Sequence, residues 1–168
     1  MQTEGGDVPV IQLRVDNRLI HGQVTLAWVG YLDVGRLVVA NDEVAADEFQ
    51  RVLLPQSARG VSTAVLGIGD AVEYCRTRDA ERVLVVARQA EDAFALVREG
   101  LPAAVVNVGN AAPEPGGDFH RVTRSVAVTR EQAAGFRALS DSGVTVVAQL
   151  MPTDKPTDFI TLLDRKSL

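Results

Sequence analysis

The chain has 168 residues, 46% of them hydrophobic and 5% aromatic, with a formal net charge of −5. That length suits one domain with a sizeable core of Val, Leu, Ala and Ile, and the acidic balance argues against nucleic acid or an anionic membrane surface as the main partner. A lone cysteine, Cys75, excludes an intrachain disulfide and a cysteine metal cluster, and no apolar run approaches the ~20 residues that span a bilayer.

The acidic, polar residues 1–8 read as a disordered lead-in without signal-peptide character, so the cytoplasm is the default location and 9–168 the folded domain. From there β-branched runs alternate with helix-length amphipathic segments. The strands are predicted at Val10–Val15, Arg36–Ala40, Val61–Leu66, Arg82–Ala87, Ala104–Val108, Val122–Val128 and Val144–Leu150. Several are nearly continuous apolar runs, as in strands buried on both faces of a parallel sheet. The helices are predicted at Gln23–Leu32, Ala46–Gln56, Asp70–Arg78, Glu91–Glu99, Arg130–Ser142 and, last and short, Thr157–Leu163. Asp70 is placed to cap its helix, and Gly100 and Gly143 stand where helices should stop.

This alternation predicts an α/β fold: a single domain with a mostly parallel, doubly wound sheet of about seven strands and helices on both faces. Ligands on such sheets bind beyond the carboxyl ends of the strands. That edge would carry the loops Asp16–Gly22, Asn41–Ala45, Gly67–Gly69, Arg88–Ala90 and Asn107–Gly117.

One loop stands out. Arg14-Val15-Asp16-Asn17-Arg18-Leu19-Ile20-His21-Gly22-Gln23-Val24 sets one of two histidines between the first strand and the first helix. A loop histidine is usually a surface or packing residue, so its neighbours carry the argument. A phosphoryl acceptor must be neutral to attack, as an ordinary imidazole mostly is at neutral pH. Amides at the helix start, from Gly22 and Gln23 onward, suit phosphoryl oxygens, glycine leaves the approach open, and Arg18 offers a planar fork of donors. A charge pair at 4 Å is worth about 4 kcal/mol at an effective dielectric of 20, against about 0.3–1 kcal/mol for a helix end. Arg18 should therefore outweigh the helix dipole if it points at the site.

Arg14 and Asp16 share one side of the first strand. Asp16 either orients Arg18 or simply forms a strand-end turn, and Asp42 is equally a supporting residue or a cap. His120 has no partner motif and reads as solvated or packed. Cys75 reads as a small buried hydrophobe, Trp28 as core, and Gly67-Ile68-Gly69 as turn punctuation, since it lacks the third glycine of a dinucleotide loop. No residues form a metal site.

The segment Arg14–Val24 resembles the phosphorylation-site signature of the IIB component of the sugar phosphotransferase system, mannose/fructose/sorbose class. Val39-Ala40-Asn41-Asp42-Glu43-Val44-Ala45, Asn107-Val108-Gly109, and Gly143-Val144 followed by Gln149 and Pro152-Thr153-Asp154-Lys155-Pro156 resemble later parts of that family in register, over about residues 9–163. The resemblance implies that His21 accepts phosphate from a IIA protein, with Arg18 assisting. It implies onward transfer to a sugar through IIC and IID membrane components, without cofactor or metal, nucleic acid or direct membrane insertion. It also implies a cytoplasmic protein recruited by partners to the inner face of the membrane. Two alternatives stay open: a regulatory phosphoprotein of the same fold without sugar transfer, and an unrelated α/β domain that binds a phosphate ligand.

Overall fold

The computed structural model describes residues 10–77 and 81–168. The expected lead-in at 1–8 and the expected helix end at Arg78 lie outside them.

In chain order the elements are β1 (Val10–Asp16), α1 (Gly22–Leu32), β2 (Arg36–Ala40), α2 (Asp42–Ala46), α3 (Glu48–Ser57), β3 (Ser62–Leu66), α4 (Ile68–Arg76), β4 (Val83–Ala87), α5 (Ala90–Arg98), β5 (Val105–Asn110), β6 (His120–Arg121), β7 (Ala127–Val128), α6 (Arg130–Asp141), β8 (Thr145–Ala148), β9 (Thr157–Asp158) and α7 (Phe159–Arg165). The main sheet has seven strands in the order β3-β2-β4-β1-β5-β8-β9. Its neighbours pair in parallel except β9, which runs antiparallel to β8. The apolar runs of β2 and β4 are buried almost throughout because both faces are covered. One core cluster joins Leu13, Val15, Val85 and Val108 to residues of α4, α5, α6 and α7. The other joins Leu37, Val39, Leu84 and Val86 to Trp28 of α1 and Val44 of α2. Successive strand residues point to opposite faces, so β1 gives Leu13 and Val15 to the first core and turns Arg14 and Asp16 towards the α1 side.

Four expectations need correction. Val122–Val128 does not join the main sheet. Thr123 and Ser125 bond in a turn, so the apolar residues on either side form the small β6–β7 hairpin. The seventh place goes to Thr157–Asp158, which pairs with β8 before α7 begins at Phe159. The helix expected at Ala46–Gln56 is α3, shifted to Glu48–Ser57, and the Asn41–Ala45 segment expected as loop is largely a separate helix, α2. The two helices break at Asp47, whose carboxylate accepts the amides of Phe49 and Gln50 at 2.9 and 3.2 Å. Asp70 is not the cap of α4. That helix starts earlier, at Ile68, and Asp42 Oδ1 accepts the Ile68 amide at 2.8 Å from across the sheet edge. Gly100 and Gly143 do end their helices, at φ +97° and +96°.

Candidate functional site: the histidine loop

The site is built from the end of β1 outward. Arg14 is 3% exposed, a cation inside the fold. Its Nη1 donates to the Gln149 carbonyl at 3.0 Å, and its Nη2 donates to the Leu150 carbonyl at 3.0 Å and to Asp16 Oδ2 at 3.2 Å. The guanidinium carbon lies 5.0 Å from the centre of the Trp28 ring, and Trp28 Nε1 donates to the same Leu150 carbonyl at 3.0 Å. Burial pulls the Arg14 guanidinium below its ordinary range, and the carboxylate of Asp16 pulls it back. A buried charge persists only when paired and hydrogen-bonded in this way.

Space for that guanidinium comes from β5. Val15 pairs with Val108 but Asp16 pairs with Asn110, so one residue, Gly109, is left over in the ladder. A Cβ on Gly109 would lie 2.2–2.3 Å from the Arg14 guanidinium atoms. The irregularity and the missing side chain together make the cradle.

Asp16, 2% exposed, faces Arg14 on one side and Arg18 on the other. Arg18 donates Nε to Oδ1 and Nη2 to Oδ2, both at 3.0 Å, and its amide reaches Oδ1 at 3.1 Å. This two-pronged contact fixes the plane of the Arg18 head. The three side chains carry one net positive charge, because Asp16 offsets one of the two arginines. Ranking Arg18 by its bare charge therefore overstates its pull on an anion. The Arg18 side chain is still 32% exposed, so its other guanidinium edge faces outward.

The turn that follows is pinned from within. The Leu19 amide returns to the Asp16 carbonyl at 2.9 Å, and Leu19 takes φ +59°. Leu19 and Ile20 are buried, whereas His21, Gly22 and Gln23 are exposed. His21 is the N-cap of α1, and its own amide donates to Thr25 Oγ1 at 2.8 Å. The amides of Val24 and Thr25 return to the His21 carbonyl. Those of Gly22 and Gln23 are left as first-turn donors without an intrahelical acceptor. Gly22, at φ +43°, takes a conformation that suits glycine.

Arg14, Asp16, Arg18, His21, Gly22 and Gln23 thus lie on one continuous segment, from the end of β1 through the loop to the first turn of α1. Asp42 does not join them, since its hydrogen bond goes to α4. Sequence reasoning missed Gly109 as the cradle, Trp28 as the ring over Arg14, and the Gln149 and Leu150 carbonyls. Asn107, another residue of the resemblance, is fully buried and accepts the Gln149 amide at 3.1 Å, which holds those carbonyls in place.

The same arrangement of chain has relatives. Residues 10–168 match the sorbose-subfamily IIB component of the PTS system. The chain belongs to that family. It is 33% identical over 156 residues to the N-acetylgalactosamine-specific phosphotransferase enzyme IIB component 2 of Escherichia coli K12, covering 92% of this chain and 98% of that protein. It is 34% identical to the mannose-specific EIIAB component of the same strain, covering 95% of this chain and 51% of that longer protein. Among solved structures, the IIBSor domain of the sorbose permease from Klebsiella pneumoniae superposes with a TM-score of 0.86 at 29% identity, covering 93% of this chain and 96% of that one. The chain is therefore a IIB component of a sugar phosphotransferase system.

Proposed function

We propose that this IIB component carries the phosphoryl group on His21. One observation supports the reading above others. The imidazole is exposed at the first turn of a helix, two buried residues after an arginine whose plane is held by a buried carboxylate. An imidazole nitrogen of His21 attacks the phosphorus of a phosphohistidine on a IIA partner. The bond from phosphorus to the donor nitrogen breaks as the new one forms. The outward edge of Arg18 and the amides of Gly22 and Gln23 receive the equatorial oxygens, and phosphoryl transfer needs little beyond such positioning and charge. In the second step a sugar hydroxyl attacks, the bond to His21 breaks, and the hydroxyl proton passes to solvent or to a partner's base.

A IIA donor fits the Escherichia coli relative whose name joins IIA and IIB. The sugar would be a hexose-type substrate presented by IIC and IID membrane components. Among the described residues no helix is long and apolar enough to cross a membrane, so this chain would meet the bilayer through those partners, at its cytoplasmic face.

The test is intact mass after incubation with phosphoenolpyruvate, the general phosphotransferase proteins and a mannose-class IIA. The wild type should gain one phosphate and His21→Ala none. Equal labelling of both proteins would refute the assignment of His21.

A further inference from the structure

A cavity of about 460 Å³ is lined by the turn between β6 and β7 and by the segment that leads from β8 to β9. Val108, Ala148 and Leu162 give it apolar walls, and it lies at the carboxyl ends of β5 and β8, the sheet edge that also carries the histidine loop. Small-molecule sites typically span about 300–1,000 Å³ and set a few placed polar groups in an apolar lining.

Both segments are braced from within. Ser125 donates Oγ to the Gly109 carbonyl at 2.9 Å and its amide to Thr123 Oγ1 at 3.2 Å. Gln149 Nε2 donates to the Pro152 and Asp154 carbonyls at 3.3 and 2.7 Å, and Asp154 Oδ2 accepts the Met151 amide at 2.9 Å. The backbone is therefore set before a ligand arrives, which lowers the cost of binding.

The polar groups say what fits. Arg124 enters the lining from the turn and Lys155 from the β8–β9 segment. Neither side chain has a hydrogen bond or ion pair among the described residues, whereas Arg14, Arg18, Arg36, Arg88 and Arg137 each face a carboxylate. Two unpaired cations at one cavity suit a phosphate, which accepts from both. Asp154 also lines the cavity, and its carboxylate repels a bare anion but accepts a hydroxyl. Thr123 already accepts the Ser125 amide, so its own proton is left to donate, and Thr157 adds a second hydroxyl. The matching ligand carries a phosphate at one end and hydroxyls at the other.

We propose that this cavity binds a small polyhydroxy phosphate monoester, with its phosphate between Arg124 and Lys155 and a hydroxyl on Asp154. The proposal does not depend on whether His21 carries phosphate. Gln149 and Leu150 line the cavity and also supply the carbonyls that hold Arg14, so an occupant touches the support of the histidine loop.

Amide NMR titration of the full chain with glucose 6-phosphate, inorganic phosphate and glucose tests it. Glucose 6-phosphate should shift the amides of residues 122–125 and 149–157. It should bind at least about 10-fold tighter than inorganic phosphate, with glucose weaker still. Arg124→Gln and Lys155→Gln should each weaken its binding about 10-fold, since each removes a charge-assisted hydrogen bond. Both side chains are exposed, so the remaining resonances should stay those of the folded wild type. Asp154→Asn should narrow the preference for glucose 6-phosphate over inorganic phosphate. No shift by about 20 mM glucose 6-phosphate overturns the proposal. Shifts confined to residues 17–24 place the phosphate at the histidine loop and overturn it too. So does inorganic phosphate bound as tightly as glucose 6-phosphate, or binding indifferent to both charge removals.

Discussion

The guanidinium of Arg14 occupies the space that a side chain on residue 109 would need. The two residues lie on neighbouring strands, and the slip in register beside Asp16 brings them together. Gly109→Ala should therefore act on the histidine loop without touching it. The added methyl meets a buried, fully bonded cation, so either β5 or Arg14 must move, at a cost of about 1–3 kcal/mol. Thermal unfolding should show the loss. Phosphorylation of His21 should slow as well, because Asp16 and Arg18 lose their backing. A variant as stable and as fast as wild type would mean the cradle is not needed.

Asp16 and Arg18 should separate stability from chemistry. Asp16→Asn leaves Arg14 buried without its counter-charge, and breaking a buried pair typically costs about 3–5 kcal/mol. Arg18 is partly exposed, so Arg18→Ala should cost under about 1 kcal/mol and lower the phosphorylation rate instead. Urea unfolding and a single-turnover labelling assay on both variants would show whether the two effects divide in this way.

Thr25 lies in α1, yet its hydroxyl accepts the backbone amide of His21. Thr25→Val keeps the shape and removes the acceptor, at about 1 kcal/mol. It should also loosen the backbone that presents the imidazole, whereas Thr25→Ser should retain the wild-type labelling rate. Equal rates for Val and Ser would limit Thr25 to packing.

Asp92 supplies a pH signature. Its carboxylate is buried and accepts the Asn41 side chain at 2.9 Å and the Gln89 amide at 3.2 Å. Burial raises its pKa above the ordinary carboxylate value of 3.8 against the opposing pull of those hydrogen bonds. A raised folded-state value means its contribution is fully present below 3.8 and is lost as pH rises through the folded value. Asp92→Asn removes the ionisation. The stability of Asp92→Asn relative to wild type should therefore be greatest near neutral pH and decline as pH falls through the folded value. Chemical denaturation of both proteins across that range measures the difference, and a gap independent of pH would count against the burial argument.

Much of the fold could be read from pattern, because parallel strands covered on both faces spell themselves out as runs such as Val83–Ala87. Two strands could not. Thr157–Asp158 is too short to show a period, and Val122–Val128 has the right residues with a turn hidden at Thr123–Ser125. In the site, Arg14, Asp16 and Arg18 were visible because one strand and one turn bring them together. The Gln149 and Leu150 carbonyls were not, since every residue carries a carbonyl and only a pairing across more than 130 residues selects these two. Gly109 was visible as part of a motif but not as a requirement, because its role follows from the register between two strands.

The buried anchors at Leu19 and Ile20, with the closed bonds of the Asp16 turn, mean that the histidine loop would arrive at each encounter already ordered. Little chain entropy remains to be lost on contact, so a partner need not hold the loop tightly to align it. On the proposed role of His21, brief, weak collisions would then suffice for transfer, and a carrier that must leave one protein to reach the next would not be slowed by the grip of the first.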